Sequence, residues 1–230
     1  MNSGFINVIA GAGFALEAVT IVLLLRGPVS RYLPVLLYLI TLISVDVAQG
    51  LIYMSNGIRS SAYFSIFWGG QHLTDFLHLL VVLGLTSRAL IDSPQRPKAL
   101  KFLSAILLAV LVLPFLLFDS RPFGSQWNHS VSQLMNFGAG IMNLGLWTAI
   151  LMSKKRDPQL LKVSAGLGLG VAGAAMTIGL RQFGSQGNLF QTLTDSLHMI
   201  LQIASVGIWA WAFWPARRTA QPPIITASAS

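Results

Sequence analysis

The sequence predicts an all-α polytopic membrane bundle of seven transmembrane helices, and three observations carry that reading. Of its 230 residues, 54% are hydrophobic and only 10% charged, whereas soluble domains carry roughly 25% charged residues. Mean hydropathy is +0.68. The apolar residues gather into runs close to the ~20 residues that a spanning helix needs. Between the runs, lysine and arginine are shared out unequally, which is the orientation signal of a membrane protein.

The elements follow in order. The first run, near 4–25, is apolar apart from Glu17, and Arg26-Gly27-Pro28 ends it. Because this run is long enough to stay as a span and Met1-Asn2-Ser3-Gly4 lacks a basic start, no cleavable signal is expected. The second run, near 33–54, carries Asp46, Gln49 and Tyr53 and stops at Ser55-Asn56-Gly57. The third, near 63–87, holds Gln71, Asp75 and His78, and a Pro-rich connector around Pro94 and Pro97 follows. The fourth, near 100–118, contains Pro114. The fifth, near 131–152, carries Asn136 and Asn143, and the basic break after it runs to Asp157-Pro158. The sixth and seventh lie near 160–181 and 189–214. One membrane domain is therefore expected over 1–218. The small, polar tail at 219–230 is expected to be disordered.

Orientation follows from charge. One set of connections holds Arg26, Arg31, Arg88, Arg96, Lys98, Lys101, Lys154, Lys155, Arg156, Lys162, Arg217 and Arg218; the other holds Arg59, Arg121 and Arg181. The positive-inside rule then puts the N-terminus outside and the C-terminus in the cytoplasm, in a bacterial inner membrane. Trp209, Trp211 and Trp214 at the end of the seventh run read as an interfacial aromatic belt. The net charge of +8 is thus a topological signal, and no nucleic-acid partner is expected. The chain has no cysteine, so disulfides, thiolate metal sites and cysteine nucleophiles are excluded.

The third and seventh runs resemble each other. At constant offset Gln71 matches Gln191, Leu73 Leu193, Thr74 Thr194, Asp75 Asp195, Leu77 Leu197 and His78 His198. Gly11-Ala12-Gly13 likewise matches Gly138-Ala139-Gly140, and Gly57 falls on Gly184. This predicts a parallel 3+1+3 repeat: residues about 4–90, a linker helix at about 100–118, and a second repeat at about 131–214. Glu17 and Asp46 break the pattern, since Leu144 and Gly173 stand in their places.

Residues three and four apart share a helix face. Gln71, Asp75 and His78 therefore make one polar stripe, and Gln191, Asp195, His198, Gln202 and Ser205 another. Ionisable groups within a membrane face the bundle interior and mark pathways or sites. If the two stripes meet, Asp75, His78, Asp195 and His198 could hold a proton, a small ligand or a divalent metal. Alternatively each Asp accepts a hydrogen bond from its own His and the cluster only fixes helix register. A haem held by His78 and His198 has no other support. Glu17 and Asp46 read either as a cation or proton path or as acids paired with groups such as Asn136 and Asn143. The G-x-G-x-x-G at Gly168, Gly170 and Gly173 has no preceding strand and reads as close helix packing, together with Gly166. Asn128-His129-Ser130 fits a glycosylation acceptor, with His129 simply exposed.

Arg31-Tyr32-Leu33-Pro34 and Tyr63-Phe64-Ser65-Ile66-Phe67-Trp68 resemble segments of uncharacterised bacterial seven-helix proteins, which are loosely similar to the membrane sensor region of some histidine kinases. The 3+1+3 layout resembles SWEET-type sugar transporters, although their Pro-Gln pair is missing. The layout is also similar to microbial rhodopsins, but the seventh run has no lysine for retinal. Ceramidase-type membrane hydrolases share the helix number and His and Asp ligands, though not their pair of histidines four apart. The Asp/His pocket favours a sensor- or receptor-like protein, more a binder of a small ligand, cation or proton than an enzyme. With no output domain of its own expected, it would work through a cytoplasmic signalling partner or as a homo-oligomer. A small-solute transporter and a metal-dependent membrane hydrolase are the alternatives.

Overall fold

The computed structural model describes residues 3–27, 29–117, 124–153, 157–183 and 188–214. The polar tail at 219–230 and the connections at 154–156 and 184–187 lie outside them. Among the described residues are seven α-helices: α1 (Ser3–Leu25), α2 (Leu33–Asn56), α3 (Ser61–Ala89), α4 (Arg96–Leu117), α5 (Ser125–Met152), α6 (Pro158–Phe183) and α7 (Asn188–Phe213). Six of them, α2 to α7, are long and apolar enough to cross a membrane. In α1 the apolar stretch of described residues is Gly11–Leu25, shorter than a span of about 20. By length and composition, six of the seven expected spans have a matching helix among the described residues.

Local chemistry explains the helix ends. Gly57 terminates α2 at φ 76, a left-handed conformation that glycine adopts without steric cost. Ser60 caps α3 by accepting from the Tyr63 amide at 3.1 Å. Asp157 caps α6, its Oδ1 accepting from the amides of Gln159 at 3.0 Å and Leu160 at 3.2 Å. Helix α5 starts earlier than its apolar run because Trp127 and Asn128 in its first turns are buried by packing, which hydropathy does not report.

The helices close a ring in the order α1, α2, α3, α5, α6, α7 and back to α1. Helix α4 stands outside it, against α5 and α3, and α3 also touches α6. Glycines set the tightest approaches. On α6, a Cβ at Gly166 would lie 2.7 Å from the Trp209 ring, and one at Gly173 2.9 Å from Leu201. Of the glycines read as packing residues, Gly166, Gly170 and Gly173 face α7, and Gly168 faces Asn143 on α5. On α3, Val45 occupies the space beside Gly70, and Pro34 the space beside Gly84.

Two hydrogen bonds lock α6 to α7: Ser205 Oγ donates to the Gly166 carbonyl at 2.7 Å and Trp209 Nε1 to the Val163 carbonyl at 2.8 Å. Trp209 is 1% exposed, so it belongs to the core and not to an aromatic belt. Its neighbours Trp211 and Trp214 do point outward, with Lys162 Nζ 3.9 Å from the Trp211 ring. The belt reading therefore fails at Trp209 because its indole N–H has a carbonyl to satisfy inside the bundle.

At the same end, Arg88 pairs with Asp157 at 3.1 Å and lies 4.7 Å over the Tyr32 ring, which packs edge-on against Phe213. Partial burial alone would raise the Asp157 carboxyl. The two capping amides and the Arg88 guanidinium outweigh it and hold the group below its ordinary value. Burial, reinforced by Asp157, pushes the Tyr32 phenol up to about 12. Large apolar side chains such as Phe102, Leu108 and Leu144 cover the outside of the ring. That surface and the six apolar helices suggest a membrane protein.

Candidate functional site

A cavity of about 460 Å³ lies inside the ring, between α1, α2, α3 and α7, with α6 at its edge. Glu17 from α1, Asp46 and Gln49 from α2, Gln71, Asp75 and His78 from α3, and His198 and Gln202 from α7 all line it. The side chains of Gln191 and Asp195 lie outside the described residues. The paired stripes suggested that α3 and α7 could meet; among the described residues the two are not an extensively packed pair. They face one another across the cavity, because α5 and α6 stand between them on one side of the ring and α1 and α2 on the other.

Asp75 is 2% exposed and heavily coordinated by donors. Gln71 Nε2 and Asn136 Nδ2 each donate to Oδ1 at 3.0 Å, and the Ser132 hydroxyl donates to Oδ2. Three donors meet the requirement that a buried carboxylate be satisfied. These donors come from Gln71, Ser132 and Asn136 and not from His78, so here the acid is not held by its own histidine. Asn136, considered as a partner for Glu17 or Asp46, serves Asp75 instead because α5 packs on α3. Asn143 sits further along α5 beside Gly168.

His78 is 6% exposed and stacks on Tyr38, with ring centroids 4.4 Å apart and planes at 23°. Its Nδ1 has no hydrogen bond. Tyr38 is the hub of this wall: its hydroxyl accepts from Gln202 Nε2 at 3.1 Å, and its ring meets Trp209 edge-on at 5.6 Å. Residues of α2, α3 and α7 are thereby joined through one phenol. On the far side, His198 Nδ1 lies 3.1 Å from Thr177 Oγ1. The Thr177 hydroxyl also lies 2.9 Å from the Gly173 carbonyl, which leaves the imidazole N–H as the donor to it.

Glu17 differs from Asp75. It is 5% exposed, yet its buried Oε2 has no hydrogen-bond partner. Asp46 is an exposed side chain at the cavity edge. Among the described residues no lysine or arginine lines the cavity.

A second cavity, about 30 Å³ and so water-sized, adjoins the first through shared Phe67, Gln71 and His198 and reaches Ser132 and His129. His129 is exposed as expected, but its ring also packs on Trp68 at 4.6 Å. Asn128 is 3% exposed and bonded to His72 Nε2 at 2.9 Å, so its amide is committed inside the bundle and unsuited to glycosylation.

Among the described residues, no group of three or more His, Asp or Glu is arranged to hold a metal ion. Sequence reasoning passed over Tyr38, Ser132, Thr177 and His72. Ser132, Asn136 and Asn143 do form a polar stripe at helical spacing along α5, and that signal marks the face presented to Asp75. Nothing comparable singles out Tyr38 in an apolar run. No known protein family matches the chain, and neither a curated protein nor a solved structure matches it.

Proposed function

We propose that the chain is an integral membrane protein that binds a small ligand, cation or proton in the ring cavity and reports occupancy to a partner. The observation that carries this reading is the convergence of Glu17, Asp46, Asp75, His78 and His198 on one cavity within an otherwise apolar bundle. Ionisable groups are costly at membrane depth and mark sites or pathways. The reading includes seven spans, an outside N-terminus and a cytoplasmic C-terminus in a bacterial inner membrane. The lysine and arginine distribution supports that orientation. A signalling protein or a second copy would dock at the basic connections.

A small-solute transporter on a 3+1+3 repeat is the second reading. The ring order favours it: rotating the ring by half a turn carries α1, α2 and α3 onto α5, α6 and α7, with α4 left outside. A metal-dependent hydrolase draws no support from Asp75, whose oxygens are already engaged by three donors.

The test is acid titration of the protein in lipid, followed by infrared difference spectra of the carboxyl stretch, with and without sodium. Binding at the cavity is expected to give carboxyl bands that sodium or a ligand shifts and that Glu17→Gln and Asp75→Asn each remove in part. Spectra that both variants leave unchanged make the cluster purely structural.

A further inference from the structure

We propose that the cavity takes an amphiphilic ammonium compound, a protonated amine with an apolar body, admitted sideways from the bilayer between α1 and α2. This rests on the cavity being a binding site and goes further by naming the ligand class and the route.

Charge fixes the sign. Among the described residues, three acidic side chains line the cavity and no lysine or arginine does. Asp75 is saturated by its three donors, so it has little capacity left for a ligand. Glu17 is the vacant one, nearly fully buried with Oε2 unbonded. A buried carboxylate lacking a partner is strongly unfavourable, and an ammonium N–H donor supplies the charge-assisted hydrogen bond it lacks.

Size and lining choose the class. A cavity of about 460 Å³ is far larger than a proton or a bare ion needs. Hard inorganic cations also call for about six oxygen ligands. Around Glu17 the walls are instead apolar, with Phe14, Leu42, Val45 and Ile203 placed to hold a hydrocarbon body.

The route follows from how α1 and α2 pack. They are joined by a short turn, and the buried residues Leu24, Tyr32, Leu36 and Leu39 cluster near it. Beyond Leu39 no residue of α2 is buried. The cavity is lined by this opened stretch, with Phe14 43% and Val47 44% exposed at the mouth and Asp46 beside them. Asp46 stands roughly halfway along the 24-residue α2, a level occupied by lipid in a membrane. A cationic amphiphile dissolved in the bilayer meets Asp46 first and Glu17 last.

The test uses the full chain in phosphatidylglycerol nanodiscs and tritiated N,N-dimethyloctylamine, with empty nanodiscs as background. Saturable binding is expected, with octanol and methylammonium each competing at least about tenfold more weakly, since octanol lacks the ammonium and methylammonium the apolar body. Glu17→Gln is expected to weaken amine binding about tenfold or more, the loss of one buried charge-assisted contact. Asp46→Asn, at an exposed position that does not endanger folding, is expected to slow association. Added phosphatidylethanolamine distinguishes the sources: competition assigns the ammonium to a lipid headgroup, and its absence to a free amphiphile. Octanol competing as well as the amine overturns the charge argument. Amine binding that neither variant alters overturns the assigned site. If the amine fails to bind but radiolabelled sodium binds and Glu17→Gln abolishes it, the ligand class is wrong while the cation site stands. If neither binds, both fall.

Discussion

The two sides of the ring are built from the same apolar alphabet and behave as opposites. On the α6–α7 side, glycines face the partner helix, backbones approach until a Cβ has no room, and Ser205 and Trp209 bond across to carbonyls. On the α1–α2 side, Gly11 and Gly50 have nothing within 4 Å of where a Cβ would stand, and the acids Glu17 and Asp46 line a cavity. What separates them is whether small residues are presented to a neighbour. Between apolar helices in lipid, burial of apolar area gives little net attraction, and close van der Waals fit decides association. A side lacking such a fit stays open, and there polar groups have room to meet a ligand.

The largest expected break comes from the packed side. Gly166→Leu forces a side chain into the Trp209 ring and the Ser205 carbonyl. It should destabilise the folded protein by about 3 kcal/mol or more, the upper range for overpacking, read as the loss of a thermal unfolding transition in detergent. Gly50→Leu, where space is open, should leave that transition in place. Equal effects of the two would erase the distinction between the sides.

Next are the acids. Asp75→Ala strands the Ser132 hydroxyl and the Asn136 and Gln71 amides and should cost about 1–3 kcal/mol. Glu17→Gln replaces a buried carboxyl whose Oε2 has no partner and should leave stability unchanged or raise it. Chemical denaturation of both variants checks the pair, and a greater loss at Glu17 contradicts the account. A smaller effect is expected for Trp209→Phe. It keeps most of the packing but drops the bond to Val163, at about 1 kcal/mol by the measured scale of interhelical bonds.

The smallest effect is electrostatic. The Asp157 carboxyl lies below its ordinary value in the folded chain, so its contribution is complete above the unfolded value of about 4 and is lost as pH falls through the lower folded one. The carboxylate is 36% exposed, so solvent screens the pair and the contribution should be only a few tenths of a kcal/mol. Asp157→Asn should flatten this part of an acid stability profile.

Much of this was legible in the sequence, for a physical reason. A span must be apolar over a set length, so helix ends came within a few residues at most positions, and the larger error at α5 arose where packing buried Trp127 and Asn128 in its first turns. Polar groups within such spans are conspicuous, so Glu17, Asp46, Asp75, His78, His198 and Gln202 stood out before the cavity was visible. Their partners did not, because partnership depends on the ring order, which no local pattern encodes. Ser132 reaches Asp75 only because α5 packs on α3, and Tyr38 gains its role only where α2, α3 and α7 converge. Extensive α3–α7 packing is absent among the described residues for the same reason: matched stripes identify a shared interior but not the distance across it.

The most direct test of the central claim, an acidic cavity open to small cations, exploits the absence of cysteine. Leu42→Cys places one thiol on the cavity wall and Ala139→Cys one in the packed core. Labelling rates are then compared for a cationic and a neutral methanethiosulfonate of similar size in lipid. The cavity thiol should react, faster with the cation than with the neutral reagent, and Glu17→Gln should reduce that preference, while the core thiol stays unreactive. A cavity thiol as inert as the core one, or a preference that Glu17→Gln leaves intact, would contradict it.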